Sequence, residues 1–161
     1  MAIFIGTHEN KVDQKGRVSV PAAFRAALAA LPFQGIVVFP SHRADAVEGC
    51  GMDFMEQLNA RVQDIALFSE THDDLATTIF AESQQLAFDS TGRIQLPEGL
   101  RAHAGIRDKA AFVGMGTLFQ IWEPGRLAAH KAAARQRARE QRLTIPAPGH
   151  PTGPGPDGGG R

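Results

Sequence analysis

Asp13-Gln14-Lys15-Gly16-Arg17-Val18-Ser19-Val20-Pro21-Ala22-Ala23-Phe24-Arg25 returns as Asp89-Ser90-Thr91-Gly92-Arg93-Ile94-Gln95-Leu96-Pro97-Glu98-Gly99-Leu100-Arg101, 76 positions further on and without a gap. The Asp, Gly, Arg, Pro and final Arg are identical in the two copies. Apolar residues match at Val18/Ile94, Val20/Leu96 and Phe24/Leu100. Working outward, the register extends back to Phe4/Phe80 and Val12/Phe88. Chance does not place five identical special residues in step, so the chain contains an internal repeat.

Each copy has its own local logic. Alternating residues on either side of the Asp-x-x-Gly step, His8 to Val12 and then Val18 and Val20, predict two half-buried strands. The Asp carboxylate can accept from backbone N–H groups two residues on, and Gly16 or Gly92 supplies the positive φ that closes a bulged hairpin. Arg17 and Arg93 then leave the turn as the first residue of the returning strand. Pro21 and Pro97 stand where a short helix begins, a position that needs no N–H donor. The unit is a hairpin followed by a short helix, used twice.

Further along, Pro21 to Ala30 predicts an Ala-rich helix, and Ile36 to Phe39 a buried strand ended by Pro40. A short strand with a bend fits Ala46 to Gly51. Asp53 reads as a helix N-cap with Glu56 three residues later, followed by Phe54, Leu58, Val62, Ile65 and Phe68 at helical spacing. A second helix from about Asp73 to Glu82 completes an acidic pair. Strands near Gln84 to Phe88 and Arg93 to Gln95 lead to a short helix from Pro97 closed by Gly105. Ala110 to Gly114 and Leu118 to Trp122 predict another hairpin, and Pro124 opens a last helix to about Arg142. From Thr144 onward Pro and Gly dominate without an apolar pattern, which predicts a disordered tail.

The expected fold is therefore α+β, mainly β. Its parts are a hairpin unit over 7–52, a helical connector over 53–82, a second hairpin unit over 83–126, a basic helix over 127–143 and a tail over 144–161. At 161 residues with 43% apolar content, two similar halves sharing one core are expected rather than two independent domains. A single cysteine, Cys50, rules out an intramolecular disulfide framework and fits a reducing cytoplasm. No secretory signal pattern and no membrane-length apolar run is present, so a soluble cytoplasmic chain is expected.

Seventeen cations balance seventeen anions, which argues against indiscriminate coating of nucleic acid. The distribution is uneven: from Arg43 to Glu98 there are 11 acids and 3 basic residues. Cations gather instead at Lys11, Lys15, Arg17 and Arg25 and again from Arg126 to Arg142. A cationic face on a neutral chain is compatible with binding a polyanion. Enzyme chemistry finds little footing. The six histidines are scattered, without metal-ligand spacing to Cys50, and no Gly-x-Ser-x-Gly or phosphate-cradling Gly loop occurs. No cofactor, metal or small-molecule substrate is expected. Cys50 between two glycines reads as a small buried residue, and Asp73-Asp74 as acids at a helix start.

With Val113-Gly114-Met115-Gly116 and Phe119-Gln120-Ile121-Trp122-Glu123 added to the paired motifs, nearly the whole chain before the tail resembles the MraZ family. The resemblance implies two fused AbrB/MazE-like swapped-hairpin units arranged as a pseudo-dimer within one chain. It also implies a ring-like homo-oligomer and a nucleoid-associated bacterial transcriptional regulator, usually a repressor, of the division and cell-wall gene cluster. In the family the Asp-x-x-x-Arg motifs are associated with contact to double-stranded promoter DNA; here they fall on Asp13 with Arg17 and on Asp89 with Arg93. Two departures stand out. Lys15 is matched by Thr91, so the two contact surfaces differ in charge. The 46–55 stretch lacks an aromatic-rich run, and the chain has no Tyr.

The residues by themselves leave two readings open. An Arg beside a turn presents a planar fork of donors that fits a phosphate or the O6/N7 edge of guanine, with Lys15 as a point charge on the backbone. Alternatively, Asp13–Arg17 and Asp89–Arg93 are structural ion pairs four residues apart. The resemblance favours DNA contact for Arg17 and Arg93 and a turn-forming role for Asp13 and Asp89, while Lys15 is expected, from its charge at the turn tip, to add phosphate attraction. Gly16 and Gly92 are structural in either case. Arg25 and Arg101 read as salt-bridged or solvated helix residues, and the basic run from Arg135 to Arg142 as a solvated helix face, with contact to DNA phosphates as its alternative. A second function class, an antitoxin-like protein-interaction module, is weakened by the duplication and by the Pro/Gly tail.

Overall fold

The computed structural model describes residues 2–146 and Pro148. The first half runs β1 (Thr7–Lys11), β2 (Arg17–Ser19), α1 (Ala22–Leu28), β3 (Gly35–Pro40) and β4 (Val47–Cys50). The second repeats it as β5 (Gln84–Ala87), β6 (Arg93–Gln95), α4 (Glu98–Ala104), β7 (Lys109–Gly114) and β8 (Phe119–Trp122). Between them lie α2 (Met52–Gln63) and α3 (Glu70–Leu75), the latter continuing into a π-helical stretch, Ala76–Ala81. Helix α5 (Pro124–Glu140) follows. The fold is α+β and mainly β, as the alternation patterns predict.

The halves exchange strands. A six-stranded antiparallel sheet has the order β1-β7-β8-β4-β3-β5, and β2 with β6 forms a separate two-stranded ribbon. Strand β1 pairs with β7 of the second half (His8 opposite Phe112), and its counterpart β5 pairs with β3 of the first (Ile36 opposite Leu86). Central strands β4 and β8 join the halves, Val47 facing Ile121. Exchanging halves leaves this order unchanged, so a local two-fold relation runs through the fold. It is the swapped-hairpin arrangement that the resemblance implies.

The hairpin expected at each Asp-x-x-Gly is thereby corrected. Strands β1 and β2 touch through one bridge, Val12 to Val18, and then diverge into different sheets. The turn is local, but the pairing of each arm is not. Three other expectations shift. Helices α1 and α4 begin one residue after Pro21 and Pro97, whose carbonyls accept from Phe24, Arg25, Leu100 and Arg101. Helix α2 begins at Met52 with Gly51 as its N-cap and no side-chain cap bond, and Asp53 Oδ1, Leu28 and Leu31 close in on Gly51 and leave no room for a side chain there. Asp53 lies inside the first turn, where its charge favours the dipole. Helix α3 begins earlier than Asp73, with the Ser69 hydroxyl accepting from the His72 N–H at 3.1 Å.

Strand alternation divides the apolar residues into layers. One sheet face carries Ile36, Val38, Val47, Phe112, Phe119 and Ile121, and it packs under the ribbon and helices α1 and α4. Phe4, Phe24, Phe112 and Phe119 form its aromatic centre, with neighbouring centroids 4.9–6.4 Å apart. The opposite face carries Val37, Phe39 and Cys50 beneath α2 and the π-helical stretch, where Ile79 and Phe80 pack. Ala111, Val113 and Trp122 lie beneath Leu127 on that same side. The ribbon and the connector therefore occupy opposite faces of the sheet. Among the described residues, packing divides the chain into one compact unit through Ala128 and a second that begins at Ala129. In the second, α5 continues to Glu140, with Arg135, Arg137 and Arg139 exposed. The tail expected over 144–161 falls, apart from residues 144–146 and Pro148, outside the described residues.

Candidate nucleic-acid interface

The two turns have the same construction. At the first, Asp13 Oδ1 accepts from the backbone N–H of Lys15 at 3.0 Å and of Arg17 at 2.8 Å. Its Oδ2 accepts from Arg17 Nε at 2.7 Å. At the second, Asp89 Oδ1 accepts from the Thr91 and Arg93 N–H groups, each at 2.9 Å, and from the Thr91 hydroxyl at 2.9 Å. Its Oδ2 accepts from Arg93 Nε at 3.0 Å. Gly16 and Gly92 take φ of 83° and 78°, the left-handed backbone that the turn requires and that a side chain resists.

Each carboxylate thus builds the turn and holds its arginine. Because only Nε is engaged among the described residues, each guanidinium has a fixed plane and a free Nη edge. The two arginines keep 38% and 35% of their side-chain surface exposed. The backbone N–H of Arg17, ahead of the side-chain bond, holds the Asp13 carboxyl below its usual range. Arg93 N–H does the same to Asp89, more strongly, with Thr91 assisting.

A pH prediction follows from those directions. A carboxyl whose folded value lies below its unfolded value of about 3.9 stabilises the fold above that value. The contribution is lost as pH falls through the folded values. Acid unfolding followed by circular dichroism should therefore shift to higher pH in an Asp13→Asn, Asp89→Asn double variant, whose acid limb should be shallower. An unchanged acid limb would show that these carboxyls do not support the fold.

The ribbon joins the turns. Val18 and Ile94 are opposite each other and buried, so Arg17, Ser19, Arg93 and Gln95 occupy the outward face. Arg17 stands across from Gln95, and Ser19 across from Arg93. Gly16 O accepts from Leu96 N–H at 2.9 Å and Gly92 O from Val20 N–H at 3.1 Å, so each turn is bonded to the other half's strand.

Arg25 and Arg101, expected as salt-bridged or solvated, serve a different purpose. Their Nε groups donate to the carbonyls of Val20 at 3.1 Å and Leu96 at 3.0 Å. Each guanidinium then lies over the opposite half's turn: Arg101 on Gly16, Arg25 on Gly92. Lys15, Arg17 and Arg101 therefore gather at one end of the ribbon, and Arg93 and Arg25 at the other. Sequence reasoning missed Gln95 and Ser19, although strand alternation around the apolar Val18 and Ile94 could have found them. The crossing of Arg25 and Arg101 has no local signal, since it depends on the strand exchange.

Cys50 is buried, and burial, with Asp53 and Glu48 nearby, pushes its thiol up to about 12. Buried Glu48 accepts from Arg43 Nη2 and from Gln120 Nε2, both at 3.1 Å, while Gln120 Oε1 accepts from Trp122 Nε1 at 2.9 Å. Among the described residues no His/Cys/Asp/Glu group could hold a metal ion, and no helix is long and apolar enough to cross a membrane.

Residues 79–144 match the family model described as "MraZ protein, putative antitoxin-like". The transcriptional regulator MraZ of Rickettsia akari (strain Hartford) is 42% identical over 145 residues, spanning 90% of this chain and 97% of that protein. The protein of the same name from Pelagibacter ubique (strain HTCC1062) is 43% identical over 143 residues, 89% of this chain and 92% of its own length. Identity at that level across nearly the full length of both partners, together with the doubled turn-and-ribbon architecture, places this chain in the MraZ family.

Proposed function

We infer that this protein is a DNA-binding transcriptional regulator that holds promoter DNA with the outward face of the β2–β6 ribbon and its two flanking turns. The observation carrying this reading is the arginine pair, Arg17 and Arg93. Both are oriented through Nε by an Asp and both are left with a free Nη edge on one exposed face. A two-stranded ribbon has the width of the B-DNA major groove, and a guanidinium edge matches guanine O6/N7 or a phosphate. Lys15 adds phosphate attraction, while Asp13 and Asp89 shape the turns. The units over 7–52 and 83–126 act together as one reading surface, because neither completes its sheet alone.

The name shared by the relatives supports regulation of transcription. Repression of the division and cell-wall gene cluster containing its own gene is the form the family resemblance favours, with the protein acting on the nucleoid. One ribbon offers few contacts, so affinity comes from several copies engaging repeated sites at once. A ring-like homo-oligomer would supply them. Strands β1 and β5 lie at the two edges of the six-stranded sheet, and closing a ring would cover such edges. The competing reading, an antitoxin-like interaction module on the same fold, finds an echo in the family description.

Fluorescence anisotropy against the duplex upstream of the protein's own gene tests the reading. A clear preference over an unrelated duplex is expected, with affinity falling steeply as salt rises, by a slope of about 0.9 per phosphate contact. Equal affinity for both duplexes would give the lead to the interaction module.

A further inference from the structure

The two-fold relation within the ribbon is broken at its surface, and the break has a direction. Symmetry pairs Arg17 with Arg93, Ser19 with Gln95 and Lys15 with Thr91. Across the ribbon, however, Arg17 faces Gln95 while Arg93 faces Ser19. One end therefore gathers Lys15, Arg17 and Gln95; the other has Thr91, Arg93 and Ser19. Gln95 has a local partner: its Nε2 donates to the Lys15 carbonyl at 3.2 Å, a bond that orients the exposed amide. Ser19 makes no equivalent side-chain bond to Thr91 among the described residues. Its carbonyl instead accepts from Asn10 Nδ2 at 2.8 Å, and the symmetry mate of Asn10 is the apolar Leu86. The Thr91 hydroxyl is already committed to Asp89.

The geometry points to Gln95 as a base-reading residue for adenine that fixes the direction in which each chain lies on its DNA site. The inference rests on the DNA-binding reading above. With one Nε2 hydrogen given to Lys15 O, Gln95 retains one donor and the Oε1 acceptor on the amide which that bond orients. That pair matches adenine N7 and N6, as a glutamine does in direct readout. Arg17 and Arg93 are equivalent and each read a guanine or hold a phosphate, so they cannot tell one orientation from the other. Gln95 stands directly across from Arg17, with Arg93 two positions along its own strand, and Ser19, across from Arg93, is too short to take its place there. The element read by one chain is consequently asymmetric, with an adenine next to one of two arginine contacts and a less restricted base next to the other. Lys15 reinforces the polarity by adding charge at the Gln95 end.

The test is selection of bound duplexes from a randomised double-stranded DNA pool by the full-length protein. It compares wild type, Gln95→Ala and the exchange variant Ser19→Gln with Gln95→Ser. Gln95 is exposed, so truncating it leaves the core intact; matching melting curves and elution volumes check this for both variants. Wild type should return an asymmetric element with adenine preferred about tenfold at one position. Gln95→Ala should lose that preference while the other positions keep theirs, and the exchange variant should move it to the opposite side of the element. The inference is overturned if wild type returns a symmetric element, or if Gln95→Ala returns the wild-type element unchanged, and either result leaves DNA reading itself standing. A wild-type pool with no enriched sequence overturns both this inference and sequence-specific DNA binding, which separates the two failures.

Discussion

The Arg17→Ala, Arg93→Ala double variant should bind promoter duplex about a hundredfold more weakly than wild type, since each arginine supplies a contact of the bidentate kind. Its melting curve and elution volume should stay close to wild type. Within the protein, each guanidinium donates through Nε to a carboxylate on the same exposed turn, and exposed pairs of this kind contribute little to folding. The Asp13 and Asp89 carboxylates also keep their backbone N–H donors when the arginine side chain is removed, so the turns should persist. The two single variants rank the ends of the ribbon. Lys15 remains beside the site of Arg17 whereas Thr91 stands beside Arg93, so losing Arg93 should cost more affinity, and each single loss should lower the salt slope by about 0.9 at most. Unchanged affinity in the double variant would reduce the Asp–Arg pairs to turn supports.

Phe119→Ala is the substitution with the largest expected effect on the fold, a loss of about 3–5 kcal/mol of unfolding free energy. The ring is fully buried and packs against Phe4, Phe24 and Phe112 at centroid distances of 4.9, 5.3 and 6.1 Å. It also lies directly over Gly49 of the neighbouring strand. Phe119 therefore ties the N-terminal segment, helix α1 and both central strands together, and the strand exchange leaves no smaller unit to absorb the cavity. Urea unfolding should show a lower midpoint with an unchanged slope. Phe68→Ala, at a side chain 86% exposed, should change stability little. A Phe119→Ala protein within about 1 kcal/mol of wild type would mean that the aromatic centre is not what joins the halves.

Legibility in the sequence followed the range of the interactions involved. The Asp13–Gly16 and Asp89–Gly92 turns were readable because carboxylate-to-backbone bonds and a positive φ are decided within four residues. The doubled motif made the second copy a check on the first. Strand pairing was not readable: β1 finds β7 about a hundred positions away, although β2 is much nearer. No local pattern distinguishes a strand that folds back from one that is exchanged; only the family resemblance supplied that distinction. The same exchange carries Arg25 to Gly92 and Arg101 to Gly16, so their role stayed hidden behind an ordinary charged helix face. In the connector, Asp73-Asp74 drew the helix start too far along, while the cap is Ser69, whose hydroxyl needed only the N–H three residues on.

The most direct test of where DNA lies is cleavage by an iron chelate tethered to single cysteines on the intact protein. Cys50 is buried with its thiol raised to about 12, so it should escape labelling. One reagent is attached at Ser19→Cys on the ribbon and another at Glu70→Cys on the connector, on the opposite side of the sheet. Cleavage of promoter duplex from the ribbon position, confined to the bound element and absent from the connector position, is the predicted result. Cleavage from the connector with none from the ribbon would contradict the account.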